Sequence, residues 1–210
     1  MKNQYKILNI DVNELPFADF LTSRYSMTVR VNAEKTYELA KKENIPFFNL
    51  TCACILETIN EIPEFKWRII GDNVVEYEKI NAVSPIMQND YTIREIEIEH
   101  LSGFENIFQW NEYVENKKNN IGDNQYLVDP MKRDEEPIAN LSCIPWLDFD
   151  SMTNIIASSN QIMPVINWGK LVGDKIPVSL TASHVFIFGW HFKLFYEKLE
   201  KYLNNPEKLF

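Results

Sequence analysis

The sequence predicts an α+β fold, a two-layer sandwich in which helices pack on a large mixed β-sheet. Three observations carry this. Short β-rich runs separated by turn residues recur in both halves of the chain. Amphipathic helical patterns interrupt them rather than alternate with them strand by strand. A helical pattern closes the chain after the last β-rich run. The 210 residues, 45% of them hydrophobic, suffice for one sizeable core, so a single domain over residues 1–210 is expected.

Tyr5 to Ile10 reads as a first strand, and the Pro-broken stretch Asp11 to Phe20 as a short helix or loop. Tyr25 to Val31 alternates and is β-rich, a second strand. Ala33 to Glu43 is an amphipathic helix, with Asn32 placed as its N-cap. Pro46 opens a more apolar helix to about Ile62, whose wide apolar face calls for burial. Trp67 to Ile70 and Val74 to Tyr77 form a hairpin around Gly71-Asp72-Asn73. Ala82 to Gln88 and Tyr91 to Glu99 are two further strands. A helix over Ser102 to Lys118 is expected on a Ser cap, followed by a polar excursion to Glu136. Ile138 to Trp146, Phe149 to Ala157, Met163 to Leu171 and Pro177 to Ser183 are strand candidates, with Gly173-Asp174 turning between the last two. From Trp190 to Leu203 the apolar residues repeat at helical spacing.

Composition excludes several classes. A net charge of -9, with no Lys/Arg-rich run, repels nucleic acid. No stretch has signal-peptide or membrane-span character, so a cytoplasmic chain that avoids membranes is expected. Cys52, Cys54 and Cys143 are few and badly spaced for a zinc site or an ordinary bridge, and read as buried thiols. No metal site is expected. A Gly-x-Ser-x-Gly elbow and a Gly-rich phosphate loop are both missing from the sequence. Asp148 and Asp150 alternate, but two acids on a polar face are an ordinary solvated feature.

Three histidines remain as candidate bases: His100, His184 and His191. His100 reads as a surface or capping residue, and His191 as packing or capping inside the last helix. His184 lies between the strand VSLTAS and the helix-opening FIFGWHF, a junction suited to presenting a reactive group. Ser142, on an apolar strand, has a hydroxyl able to donate to an oxyanion, although such a Ser commonly bonds to backbone instead.

Three blocks together resemble the chloramphenicol acetyltransferase family. IPEFKWRIIGDNVVEYEKINAVSPI is similar to its helix end and hairpin. LSCIPWLDFDSM resembles its Ser-x-x-Pro-Trp-x-x-Phe-x-Ser block. PVSLTASHVFIFGWHFKLFYEKLEKYL resembles its last strand, His-His-x-x-x-Asp-Gly motif and closing helix, and MPVINWGK falls between in the same order. The resemblance runs from Tyr25 to the end. It implies a CoA-dependent acyltransferase fold and a homotrimer with active sites at subunit interfaces. It also implies transfer of acetyl from acetyl-CoA to a hydroxyl of a small acceptor. By position, His184 is the implied base and Ser142 the implied oxyanion donor. Asn167 stands where the family has a Thr, Lys170 matches a basic residue near the cofactor phosphate, and Trp146 matches a wall of the CoA channel.

The sequence departs from that pattern. Ser183 replaces the first motif His and Phe188 replaces the Asp, whose Arg partner is missing from NELPFADF. Losing both partners avoids a buried unpaired charge and argues for a repacked site. The loop before the second strand is shortened to Leu21-Thr22-Ser23-Arg24, which predicts that chloramphenicol is a poor acceptor. The alternative to an active enzyme is a catalytically weak or silent trimer that binds ligand. Transfer of a different acyl group, as in dihydrolipoyl acyltransferases, is a third reading.

Overall fold

The structure is a computed structural model that describes residues 4–20, 22–123, 126–129, 132–155 and 162–210. Its centre is a six-stranded mixed sheet of β2 (Arg24–Asn32), β9 (Lys175–Ser183), β8 (Val165–Trp168), β7 (Ile138–Cys143), β5 (Asn81–Met87) and β6 (Ile93–Ile98), in that order. β7 runs parallel to both β5 and β8, and the other pairings are antiparallel. A three-stranded sheet of β1 (Tyr5–Ile7), β4 (Asn73–Tyr77) and β3 (Trp67–Ile70) stands beside it. The predicted hairpin is β3–β4, turned at Gly71 with φ 57°, a left-handed conformation that glycine adopts without a Cβ penalty.

The helices α1 (Glu34–Glu43), α2 (Phe47–Asn60) and α4 (Gly189–Leu203) pack on one another, and α4 also meets β2. α2 is the most deeply buried, with Leu50, Ala53, Ile55, Leu56 and Ile59 sealed from solvent. Its mean hydrophobic character, set in the sequence by the wide apolar face, is matched by that burial. α1 ends at Asn44, left-handed with φ 54°, one residue before Ile45 and Pro46 start the turn into α2. The N-cap of α1 is Ala33 and not the expected Asn32, which lies one residue earlier; its Oδ1 still accepts from the Glu34 N–H at 3.2 Å.

Two buried arginines tie the second half together. Arg68 is sealed in the core and donates to the carbonyls of Phe65, Trp67, Glu136 and Ile138. Burial lowers its pKa to about 10, with Asp134 pulling the other way. Arg133 pairs with Glu95 at 2.6 Å, fastening the excursion after α3 (Ile107–Asn119) to β6.

Two expectations are corrected. No strand forms over Phe149 to Ile155; Ile156 and Ala157 lie outside the described residues. The stretch pairs with no strand, because its side chains are taken up by Arg30, Asn167 and Thr181. Asp148 and Asp150 instead engage Arg30 on β2. The helix expected from Ser102 starts later. Leu101–Gly103 is one 3₁₀ turn, and α3 begins after Asn106, whose Oδ1 accepts from the N–H of Phe108 and of Gln109, both at 3.0 Å. Asn106 gives a stronger cap than Ser102, which is occupied with His100.

Candidate active site

Ser142 sits near the end of β7, in register with Asn167 on the parallel neighbour β8. Beyond these strand ends, residues 144–149 fold back over residues 168–170. Ile144 N–H donates to the Trp168 carbonyl at 2.8 Å, and Lys170 N–H donates to the Leu147 carbonyl at 2.7 Å. Gly169 permits this approach: a Cβ there would lie 2.4 Å from the Leu147 carbonyl oxygen. The two loops, with Phe47, Phe48 and β5, enclose a cavity of about 850 Å³. Ser142, Trp146 and Lys170 all line it, so three of the five residues singled out in the sequence are brought to one place. Its walls are mainly aromatic and aliphatic, and its cations are Lys118 and Lys170. Cys143 lines it as well, its thiol pushed up to about 12 by burial.

Asn167 is not in that lining. It is 1% exposed, and its Oδ1 accepts from Asn154 Nδ2 at 2.9 Å. Asn154 also donates to Thr181 Oγ1 at 2.7 Å, and Thr181 shares a hydrogen bond of 2.7 Å with Ser26 Oγ. The amide thus belongs to a polar ladder running from β8 across β9 to β2. Asn154 had no signal in the sequence, since its stretch reads as a strand.

His184 follows the last residue of β9, and its backbone N–H donates to the Ser23 carbonyl at 2.8 Å. It is absent from the residues lining the Ser142 cavity. Its ring stacks on Tyr25, with centroids 4.5 Å apart and planes 23° apart. Phe17 lies tilted at 4.4 Å and Phe188 edge-on at 5.1 Å. Nδ1 is buried with no hydrogen-bond partner among the described residues. Phe188, standing at the motif Asp position, completes an aromatic cage rather than an ion pair. Phe20 and Trp190 add further exposed aromatic surface nearby in sequence.

Tyr25 is pinned from behind, its hydroxyl donating to the Ile187 carbonyl at 3.0 Å and its ring against Phe192. Burial raises its pKa to about 12, so it keeps the proton it donates. In the short polar stretch before β2, Thr22 is exposed. Ser23 is buried, and Arg24 has its pKa lowered to about 10 by burial. Neither Phe17, Ser23 nor Tyr25 was singled out in the sequence, because each acquires its role only by pairing with the far end of the chain.

The other histidines are structural. His100 is buried and caps the turn after β6, Nδ1 accepting from Ser102 N–H at 3.1 Å. His191 Nδ1 accepts from Phe188 N–H at 2.9 Å and caps α4. Among the described residues no group of three or more His, Cys, Asp or Glu is placed to hold a metal ion, and no helix is long and apolar enough to cross a membrane.

The family model described as "Chloramphenicol acetyltransferase" matches residues 13–200. The chain belongs to the chloramphenicol acetyltransferase family. A chloramphenicol acetyltransferase of Staphylococcus aureus is 26% identical over 194 residues, covering 87% of this chain and 86% of that protein. Chloramphenicol acetyltransferase 3 of Escherichia coli is 20% identical over 190 residues, with 88% and 87% covered. A solved chloramphenicol acetyltransferase aligns with TM-score 0.79 and 25% identity over 94% of this chain and all of that one. The Azotobacter vinelandii dihydrolipoamide acetyltransferase shares the fold, with TM-score 0.64 at 12% identity, covering 90% of this chain and 84% of that one.

Proposed function

We propose that this chain is a CoA-dependent O-acetyltransferase, moving acetyl from acetyl-CoA to a hydroxyl of a small acceptor. The observation that supports it best is the presence of two complementary half-sites. Ser142 lines a largely apolar cavity that also holds Lys118 and Lys170, and His184 stands outside it in an aromatic cage. An apolar bore suits the pantetheine arm of CoA, and Lys170 and Lys118 suit its phosphates. Trp146, 58% exposed, is a wall for that arm, and Asn167 acts from behind by fixing β8 beside Ser142.

The half-sites meet in a homotrimer in this reading, with His184 of one subunit facing the Ser142 cavity of the next. The edge strand β2 supports it, since Met27 and Val29 stand exposed there on an unpaired sheet edge. His184 Nε2 takes the proton of the acceptor hydroxyl as its oxygen attacks the thioester carbonyl. Ser142 Oγ–H donates to the oxyanion of the tetrahedral intermediate. Collapse breaks the C–S bond, and the imidazolium returns its proton to the departing thiolate.

Chloramphenicol is expected to be a poor acceptor, because the shortened loop ending in Arg24 and the aromatic cage reshape the acceptor side. Turnover with a Michaelis constant in the micromolar range would overturn that expectation. A second reading, a trimeric ligand-binding module without turnover, draws support from the unpartnered Nδ1 of His184. Both readings expect CoA to raise the melting temperature. The test that separates them is thiol release from acetyl-CoA with a panel of hydroxyl acceptors. Release lost in Ser142→Ala by 10²-fold or so supports the enzyme, and CoA binding without release by the wild type supports the module.

A further inference from the structure

The catalytic role proposed for His184 needs its imidazole held in one direction, yet Nδ1 makes no hydrogen bond among the described residues. The constraint has to act through the backbone and through packing. The backbone on the N-terminal side of His184 is fastened by one unusual contact. Ser183 Oγ and Ser23 Oγ, both buried, share a hydrogen bond of 2.7 Å. Ser183 Oγ also accepts from Val185 N–H at 3.3 Å, so it bridges across His184 itself. The Ser183 carbonyl accepts from Ile187 N–H at 2.9 Å, closing the turn. On the other strand the Ser23 carbonyl accepts the His184 N–H, and Tyr25, two residues on, supplies the stacking ring.

We infer that the buried Ser23–Ser183 hydroxyl pair is the positioning device for the His184 imidazole. It locks the start of β2 to the 183–187 turn, so the Tyr25 ring and the His184 ring meet in one register. The inference rests on the acetyltransferase reading for its kinetic consequence, but its physical content concerns only how His184 is held.

The test uses the intact chain and the variants Ser23→Ala, Ser183→Ala and the double variant. Each single change strands a buried hydroxyl and is expected to lower the melting temperature, while the double change removes both hydroxyls, still leaves the Val185 N–H without its acceptor, and is expected to recover part of the loss. A purely structural pair would recover activity along with stability. A positioning pair leaves kcat down about tenfold or more in all three, with the Michaelis constant for acetyl-CoA within about twofold of wild type. Recovery of both melting temperature and kcat in the double variant overturns the inference. A second arm needs no turnover: the rate at which diethyl pyrocarbonate modifies His184, followed by peptide mass spectrometry to separate it from His100 and His191. That rate is expected to rise about threefold or more in the double variant as the ring loses its fixed place against Tyr25 and is reached more freely by the reagent. An unchanged rate in a folded double variant overturns the inference. If the wild type transfers no acetyl group, the acetyltransferase reading fails, and the modification rate alone decides the positioning role.

Discussion

The imidazole of His184 lies almost parallel to the phenol ring of Tyr25, with 4.5 Å between centroids. An aromatic face in that position limits the imidazole to one orientation, and the proposed role of His184 needs that orientation. Tyr25→Leu is therefore expected to lower kcat about tenfold with little change in the Michaelis constant for acetyl-CoA. Tyr25→Phe keeps the face and loses only the bond to the Ile187 carbonyl, so its kcat falls about threefold or less. Steady-state kinetics on the two variants check this, and equal losses in both would remove the stacking role.

A site shared between subunits predicts complementation. His184→Ala and Ser142→Ala subunits, each inactive alone, are expected to regain about a quarter of wild-type sites when equal amounts are unfolded and refolded together at random. The measurement is thiol release from acetyl-CoA by the mixed and the separate preparations. Activity in neither the mixture nor the separate samples, with refolded wild type active, places both groups in one subunit.

Gly169 allows the loop carrying Trp146 to close over β8, with no room for a Cβ beside the Leu147 carbonyl, Pro177 and Phe149. Gly169→Ala is expected to destabilise the fold by about 1–3 kcal/mol and to weaken CoA binding, because the obstacles include backbone and cannot rotate away. Denaturant unfolding and CoA titration of this variant measure both effects.

Alkaline pH should weaken the protein through its buried thiols. Burial holds the pKa of Cys54 and of Cys143 at about 12, against an ordinary value of 9.0. The unfolded chain loses these protons first, so stability falls as pH rises above about 9, by about 1.4 kcal/mol per pH unit for each fully displaced group. Tyr25 adds to the loss above 10.0, its ordinary value. Arg24 and Arg68, lowered by burial to about 10, act in the opposite sense only at higher pH. Urea midpoints from pH 8 to 10 test this, and a Cys54→Ala variant should show a shallower slope.

The sheet and the four main helices were legible because each strand or helix carries its own period, and the Ser142, Trp146 and Lys170 cluster followed from motif order. The pieces that escaped were set by distant contacts. Phe149 to Ile155 alternates like a strand but pairs with none, because its side chains are taken up by Arg30, Asn167 and Thr181 instead. Asn154 becomes important only when that stretch folds over Asn167 and Thr181. Ser23 and Tyr25 look like an ordinary strand start until β9 brings Ser183 and His184 alongside. In the sequence Phe188 marks a lost charge, and in the structure its ring edge stands against the imidazole in that place.

The central claim is that His184 is the base of an acetyl transfer. It is tested most directly by thiol release from acetyl-CoA, with a panel of hydroxyl acceptors, for wild type and His184→Ala side by side. The account predicts acceptor-dependent release by the wild type and a loss of about 10²–10⁴-fold in the variant, with CoA still bound. Release by His184→Ala at the wild-type rate would contradict it.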